Sequence, residues 1–256
     1  MYRNKSVAVV MPVHNEDTHI ERAIRRVPDF VDLIVAIDDG SSDDTWAVLA
    51  RVDDPRVIRL RHITNQGVGA ATKTGYRHCI EARADLIAVM DGDGQMDGRD
   101  LIRLLERALG GADYVKGNRF LHCESIGNMP RLRYAGNRLF SWLARRSASF
   151  SDRLDSHCGY TVIHRHALQR LALDALYDRY GFPTEMFFAA CRSGLVVESV
   201  PVRCVYADEV SGINPFTAVP QILYLIARNY VRRRFSAALP SNLERQREAI
   251  NYHFEA

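Results

Sequence analysis

Asp91-Gly92-Asp93-Gly94-Gln95 follows directly on the apolar run 86–90. At the mouth of a buried strand, two carboxylates at i and i+2 turn to one side. Hard oxygen ligands placed there suit Mg²⁺ or Mn²⁺, which keep positions open for phosphate oxygens and water. Gln95 adds a carbonyl oxygen at the next alternate position. Asp-Gly pairs are also common turn formers, so the fragment alone reads equally as a turn; its place after a buried strand favours the metal. Asp38-Asp39-Gly40-Ser41-Ser42-Asp43 closes a second apolar run. Unpaired charge at the end of such a strand is costly, so these carboxylates are expected to accept hydrogen bonds from a base or ribose, with Ser41 to Asp44 capping the next helix. Pro12-Val13-His14-Asn15-Glu16 ends the first apolar run in the same way. Asn65-Gln66-Gly67-Val68-Gly69 reads as a loop whose amides cradle phosphate at a helix N-terminus. A dinucleotide fingerprint fits poorly, because Thr72 replaces its last glycine and two strand-helix units come first.

The elements that hold these loops are legible from periodicity. Apolar runs at 7–11, 33–37, 57–60, 86–90 and 114–115 predict strands. Segments 18–27, 43–51, 69–82 and 100–109 carry apolar residues at helical spacing. Such alternation predicts an α/β fold with a mostly parallel, helix-covered sheet, whose ligands bind at the carboxyl ends of the strands. Beyond Gly117 the pattern loosens into a basic amphipathic segment at 131–146, a strand at 160–164, a helix at 183–192, a strand-like stretch at 195–203 and a loop at 206–215. A last amphipathic segment at 216–235 and a polar tail beyond Ser236 complete the chain, dividing it into a domain at 1–212 and a basic helix with tail at 213–256.

In order and in register, four of these loops resemble the GT-A glycosyltransferases of family 2, in the branch of the dolichyl- and polyprenyl-phosphate mannose and glucose synthases. The resemblance covers about residues 6–212 and rests on Pro12-Val13-His14-Asn15-Glu16, Asp38-Asp39-Gly40-Ser41, Asn65-x-Gly67-x-Gly69-x-Ala71 and Asp91-x-Asp93-x-Gln95. It implies a GT-A fold with a mixed sheet, a nucleoside pocket at Pro12, His14, Glu16, Asp38 and Asp39, and a cation on Asp91, Asp93 and Gln95. Gly69 joins the donor side. Gly117-Asn118-Arg119 and Asp155-Ser156-His157-Cys158-Gly159-Tyr160 match the family's acceptor-side elements, and Glu185 falls where relatives carry an acidic residue leading a helix. His14 stands where many relatives have Tyr, and Tyr206-Ala207-Asp208-Glu209 replaces the His/Arg-containing loop of the mannose synthases, so the donor sugar is left open.

The implied reaction is metal-dependent transfer of a sugar from a nucleotide-sugar, with inversion if displacement occurs in one step. A polyprenyl phosphate acceptor is already ionised and needs charge pairing rather than a general base, for which Arg119, Arg131 and Arg133 are the candidates. A hydroxyl acceptor would instead need a carboxylate base, Asp155 or Glu185. A catalytically silent nucleotide-sugar binder is the third reading.

Composition sets the surroundings. With 256 residues, 47% hydrophobic, the chain can bury a core without disulfides, and a net charge of +3 is too mild to point to nucleic acid. Five scattered cysteines form no Cys-x-x-Cys pair, which fits a reducing cytoplasm, and the polar start predicts no signal peptide. Arg131, Arg133, Arg138, Arg145 and Arg146 are interleaved with Leu139, Phe140, Trp142 and Leu143, and Arg228 and Arg232 to Arg234 follow a similar apolar stretch. These are marks of helices lying on anionic lipid, which predicts peripheral attachment to the cytoplasmic face of the membrane. Packing on the domain or in a homo-oligomer would use the same faces.

Overall fold

The computed structural model describes residues 1–204 and 215–235, apart from a few side chains. The expected loop at 206–215, but for its last residue, and the tail beyond Ser236 lie outside the described residues. Seven strands form one sheet: β1 Val7–Val13, β2 Leu33–Asp39, β3 Val57–His62, β4 Leu86–Val89, β5 Tyr114–Asn118, β6 Thr161–His164 and β7 Val197–Pro201. Their order is β3-β2-β1-β4-β6-β5-β7. Every pairing is parallel except those of β6 with β4 and β5, so the sheet is mixed but mostly parallel.

All seven residues of β1 are buried, as a strand covered on both faces requires. Alternation sends Ala8 and Val10 into one core and Val7, Val9 and Met11 into the other. Helices α1 Ile20–Arg25, α2 Thr45–Arg51 and α4 Leu101–Leu109 cover the second face. The first is covered by α3 Val68–Glu81, α6 Arg131–Ala148, α8 Phe182–Arg192 and α9 Pro215–Phe235, while α5 Cys123–Asn128 and α7 Arg165–Leu168 are short connectors.

Two differences from the periodicity matter for the site. β5 runs on through Lys116, Gly117 and Asn118, although these are not strand-forming types, because β7 pairs with all three, β6 with Lys116, and the Gly117 amide donates to the Tyr160 carbonyl. The serines at 41 and 42 do not cap α2: Asp43 accepts the Thr45 amide at 3.0 Å, while Ser41 Oγ accepts the Asn15 amide and the Ser42 amide donates to Asn15 Oδ1. The loops after β1 and β2 are thereby tied together.

The last helix belongs to the core. Ile222, Leu225 and Ile226 are buried in the cluster that contains Phe187 and Ala144, and Ala218 is buried as well. Burying a Leu or Ile contributes about 1.5–3 kcal/mol relative to exposure, so this face of α9 is held by α6 and α8. Among the described residues no helix is long and apolar enough to cross a membrane.

Candidate active site

At the carboxyl ends of β1, β2 and β4 the loops open a cleft that has two parts. The first is a cavity of about 450 Å³ lined by Pro12, His14, Glu16 and Asp39, by Gly67 and Val68 at the start of α3, and by Asp91 and Asp93. The second, about 250 Å³, is lined by Asp91, Asp93, Gln95, Arg119, His157 and Gly159. Asp91 and Asp93 stand at the junction, and all three expected cation ligands face the second cavity.

Adjacent residues of a strand point to opposite faces, and this separates the acidic pair on β2. Asp39, on the α3 side, lines the cleft and accepts His62 Nδ1 at 2.7 Å, the Gln66 amide at 3.0 Å and the Gly67 amide at 2.7 Å. Asp38, fully buried, accepts the Ser41 amide at 3.0 Å and pairs with Arg61 Nε at 3.1 Å. Asp38 therefore holds the loop, and it is not among the residues lining the cleft.

The expected phosphate cradle at α3 is corrected. The amides of Gln66 and Gly67, just before α3, already hold an anion, the Asp39 carboxylate, and the Ala70 amide in its first turn donates to the carbonyl of Asp178 at 3.0 Å. Gly69 is a packing residue, since a Cβ there would lie 2.4 Å from the carbonyl oxygen of Tyr177. Gly67, at φ +106°, takes a conformation that side chains disfavour and is likewise pressed against Asp178.

Burial raises the carboxyl of Asp91 to about 7, with the charges of Asp93 and Glu16 adding to the rise and that of Arg119 opposing it. Such crowding of negative charge in a half-closed cleft is what a divalent cation relieves. Room is left for it, because Gly159 has no Cβ where one would stand 3.0 Å from Asp91 Oδ2. Asp93 Oδ1 accepts the Gln95 amide at 2.9 Å, which fixes the turn. Among the described residues no three His, Cys, Asp or Glu groups form a closed cage. Two carboxylates and an amide oxygen suit Mg²⁺ or Mn²⁺, which take oxygen ligands and leave positions for phosphate and water.

On the other side, Arg119 and Asp155 form a forked ion pair, Nε to Oδ2 at 2.6 Å and an Nη to Oδ1 at 3.1 Å. Asp155 is fully buried and also accepts the His157 amide. Burial alone would raise its carboxyl; the charge and hydrogen bonds of Arg119 more than offset this and hold it below the usual range. Such a group is a poor base, so the expectation of Asp155 as proton acceptor is corrected to that of a clamp on Arg119. Glu185 is displaced more clearly. It lies under α9, 1% exposed, between Arg192 at 3.4 Å and Arg228 at 2.7 Å, and does not line the cleft. Arg131 is exposed on the first turn of α6, outside both cavities, and the side chain of Arg133 lies outside the described residues.

Several lining residues carry no motif: Arg179, Tyr180, and Thr217, Ala218 and Gln221 of α9. Gln221 brings a buried amide oxygen with no hydrogen-bond partner among the described residues. Only the packing of α9 brings Thr217, Ala218 and Gln221 to the cleft. Lys116 was also missed. It is fully buried, its amine lowered to about 8 by burial, and it donates to the carbonyl oxygens of Cys158 at 2.8 Å and Pro183 at 3.3 Å. A buried lysine thus ties the 155–160 loop to the start of α8.

The profile of glycosyl transferase family 2 matches residues 8–172, which carry both the acidic junction and the Arg119–Asp155 clamp. The chain belongs to that family. This family-2 transferase is 32% identical over 208 residues to the undecaprenyl-phosphate mannosyltransferase of Micrococcus luteus, spanning 78% of this chain and 83% of the relative. It is 25% identical to the UDP-N-acetylglucosamine–dolichyl-phosphate N-acetylglucosaminyltransferase of Methanococcus voltae, over 80% of this chain and 88% of the relative. Among solved structures, glucosyl-3-phosphoglycerate synthase of Mycobacterium tuberculosis, with Mn²⁺, uridine diphosphate and phosphoglyceric acid, superposes with a TM-score of 0.64 at 18% identity. That match covers 89% of this chain and 79% of the synthase, and it establishes the GT-A fold.

Proposed function

We propose that this glycosyltransferase moves a sugar from a nucleotide-sugar to a polyprenyl phosphate, with inversion at the anomeric carbon and with Mg²⁺ or Mn²⁺ held by Asp91, Asp93 and Gln95. The observation that carries this reading is the second cavity, which among the described residues offers two arginines, Arg119 and Arg203, and as its one imidazole His157, pushed by burial to about 4 and so a weak base. Among the described residues its only lining carboxylates are Asp91 and Asp93, Asp155 is locked on Arg119, and Glu185 is buried in another ion pair. A hydroxyl acceptor would need a group to take its proton, whereas a phosphate oxygen needs only positioning and charge. The names of the Micrococcus and Methanococcus relatives support the same acceptor class.

The roles follow from placement. Pro12, His14, Glu16 and Asp39 wall the nucleoside side, and the orphaned oxygen of Gln221 accepts from a donor group of the base or ribose. A bound cation supplies charge to stabilise the departing diphosphate. Arg119, fixed by Asp155, pairs with the acceptor phosphate and orients it. We place the protein at the membrane surface, on the cytoplasmic face, through the arginines and aromatic residues of α6.

Screening UDP-, GDP- and dTDP-sugars with Mn²⁺ or Mg²⁺ for thermal stabilisation identifies the donor, since a ligand of the folded state raises apparent stability by mass action. Labelled sugar from that donor should then enter the organic phase with a polyprenyl phosphate. Equal or better transfer to soluble saccharides would support the hydroxyl reading instead.

A further inference from the structure

The cleft leaves unexplained a second groove, of about 330 Å³, on the outer side of α6. It shares no residue with the acceptor cavity and backs onto it: Asn137 faces the cavity and Arg138 the groove. Its cations come from two elements, Arg138 and Arg145 two turns apart on α6 and Arg153 on the following loop. Among the described residues no Asp or Glu lines it. Arg138 donates to the Tyr134 hydroxyl at 2.9 Å and lies over its ring, and Arg145 donates to the carbonyl oxygens of Ser151 and Asp152. None of the three arginines forms an ion pair among the described residues.

The three cations repel one another. The guanidinium of Arg145 is lowered by burial and then by the charges of Arg153 and Arg138, which the exposed carboxylate of Asp152 offsets in part. A concave cationic site that no carboxylate of the described residues lines, with only the exposed Asp152 beside it, favours an external anion. Its rim is apolar: Leu121 is 45% exposed, Leu139 54% and Trp142 51%. A soluble anion gains nothing from that rim. A phospholipid offers a phosphate for the arginines and, beside it, glycerol and acyl groups for tryptophan and leucine.

We propose that this groove seats the phosphate of an anionic membrane phospholipid, docking the enzyme on the bilayer at a site separate from the acceptor cavity. The proposal rests on the membrane contact advanced above and gives it an address.

The test is flotation of the full-length protein with phosphatidylcholine vesicles, with and without phosphatidylglycerol, using wild type and the double variant Arg138→Gln/Arg153→Gln. Both residues are exposed, so the fold is retained. Each arginine near an anionic surface strengthens binding about fivefold, so the double variant should bind phosphatidylglycerol vesicles about twenty-fivefold more weakly. Trp142→Ser should weaken binding with the charge intact. Transfer to a short-chain, water-soluble polyprenyl phosphate without vesicles should be unchanged in the double variant. If wild type ignores anionic vesicles, both the membrane contact and the groove fail. If both proteins bind equally, the groove alone fails. Loss of transfer to the soluble acceptor would assign the groove to catalysis, and displacement of the vesicles by inorganic phosphate at low concentration would assign it to soluble anions; either overturns the proposal.

Discussion

Replacing Gly159 with alanine tests the cation site without removing any ligand. The new Cβ would stand 3.0 Å from Asp91 Oδ2, 3.4 Å from Oδ1 and 3.4 Å from the Met96 methyl. Ordinary contact requires the carboxylate to retreat by about 0.4 Å. Turning its side chain by roughly 30° off a rotamer costs about 1 kcal/mol. That cost is paid when the carboxylate is drawn back to the ion, so affinity for Mn²⁺ should fall about fivefold. Gly159 is not in the left-handed region, so global stability should hardly change. Gly127→Ala is the control, because a Cβ there meets nothing within 4 Å. Calorimetric titration of Mn²⁺ in the presence of the nucleoside diphosphate reads the effect. Unchanged Mn²⁺ affinity in Gly159→Ala, or an equal loss in Gly127→Ala, would refute the placement of the ion at Asp91.

Arg119→Lys keeps the charge but loses the fork that grips Asp155, so KM for the acceptor should rise about tenfold while KM for the donor stays put; steady-state kinetics with each substrate varied separates the two. Glu185→Ala strands Arg192 and Arg228 and should cost about 3 kcal/mol in denaturant unfolding, yet leave the turnover of the folded fraction within about twofold. A large loss of turnover at unchanged stability would return Glu185 to the chemistry. Acid should destabilise the fold through His157, whose imidazole is pushed from 6.5 to about 4, mainly by burial. Between those values the unfolded chain takes a proton that the folded chain refuses, so melting temperature should fall as pH drops from about 6.5 to about 4, and His157→Gln should flatten that slope. The contribution of Asp155, whose folded carboxyl is held low, is lost only at still lower pH, below its ordinary value.

Much of the site was legible because it lies where apolar runs stop. β1, β2 and β4 end in polar residues whose burial has a cost, and those residues line the cleft or brace its loops. Periodicity placed α3 and α8 within a residue of their observed starts. What it did not carry was partnership across the fold. Asp38 and Asp39 look alike in the chain, yet one meets Arg61 and the other the amides of Gln66 and Gly67 before α3. Glu185 looks like a cleft acid until α9 lays Arg228 over it. Gly67 and Gly69 suggest a phosphate loop, but they are small so that residues 177 and 178 can approach. Gln221 reaches the donor cavity only through the seating of Leu225 and Ile222 in the core.

The most direct measurement is transfer of labelled sugar from the stabilising nucleotide-sugar to polyprenyl phosphate by pure protein, read as label in the organic phase. Wild type with Mn²⁺ or Mg²⁺ should label the lipid, while EDTA or Asp93→Ala should abolish the signal and restored metal should rescue only wild type. Transfer that survives both EDTA and Asp93→Ala, or label that reaches only water-soluble products, would contradict a metal-dependent polyprenyl-phosphate glycosyltransferase.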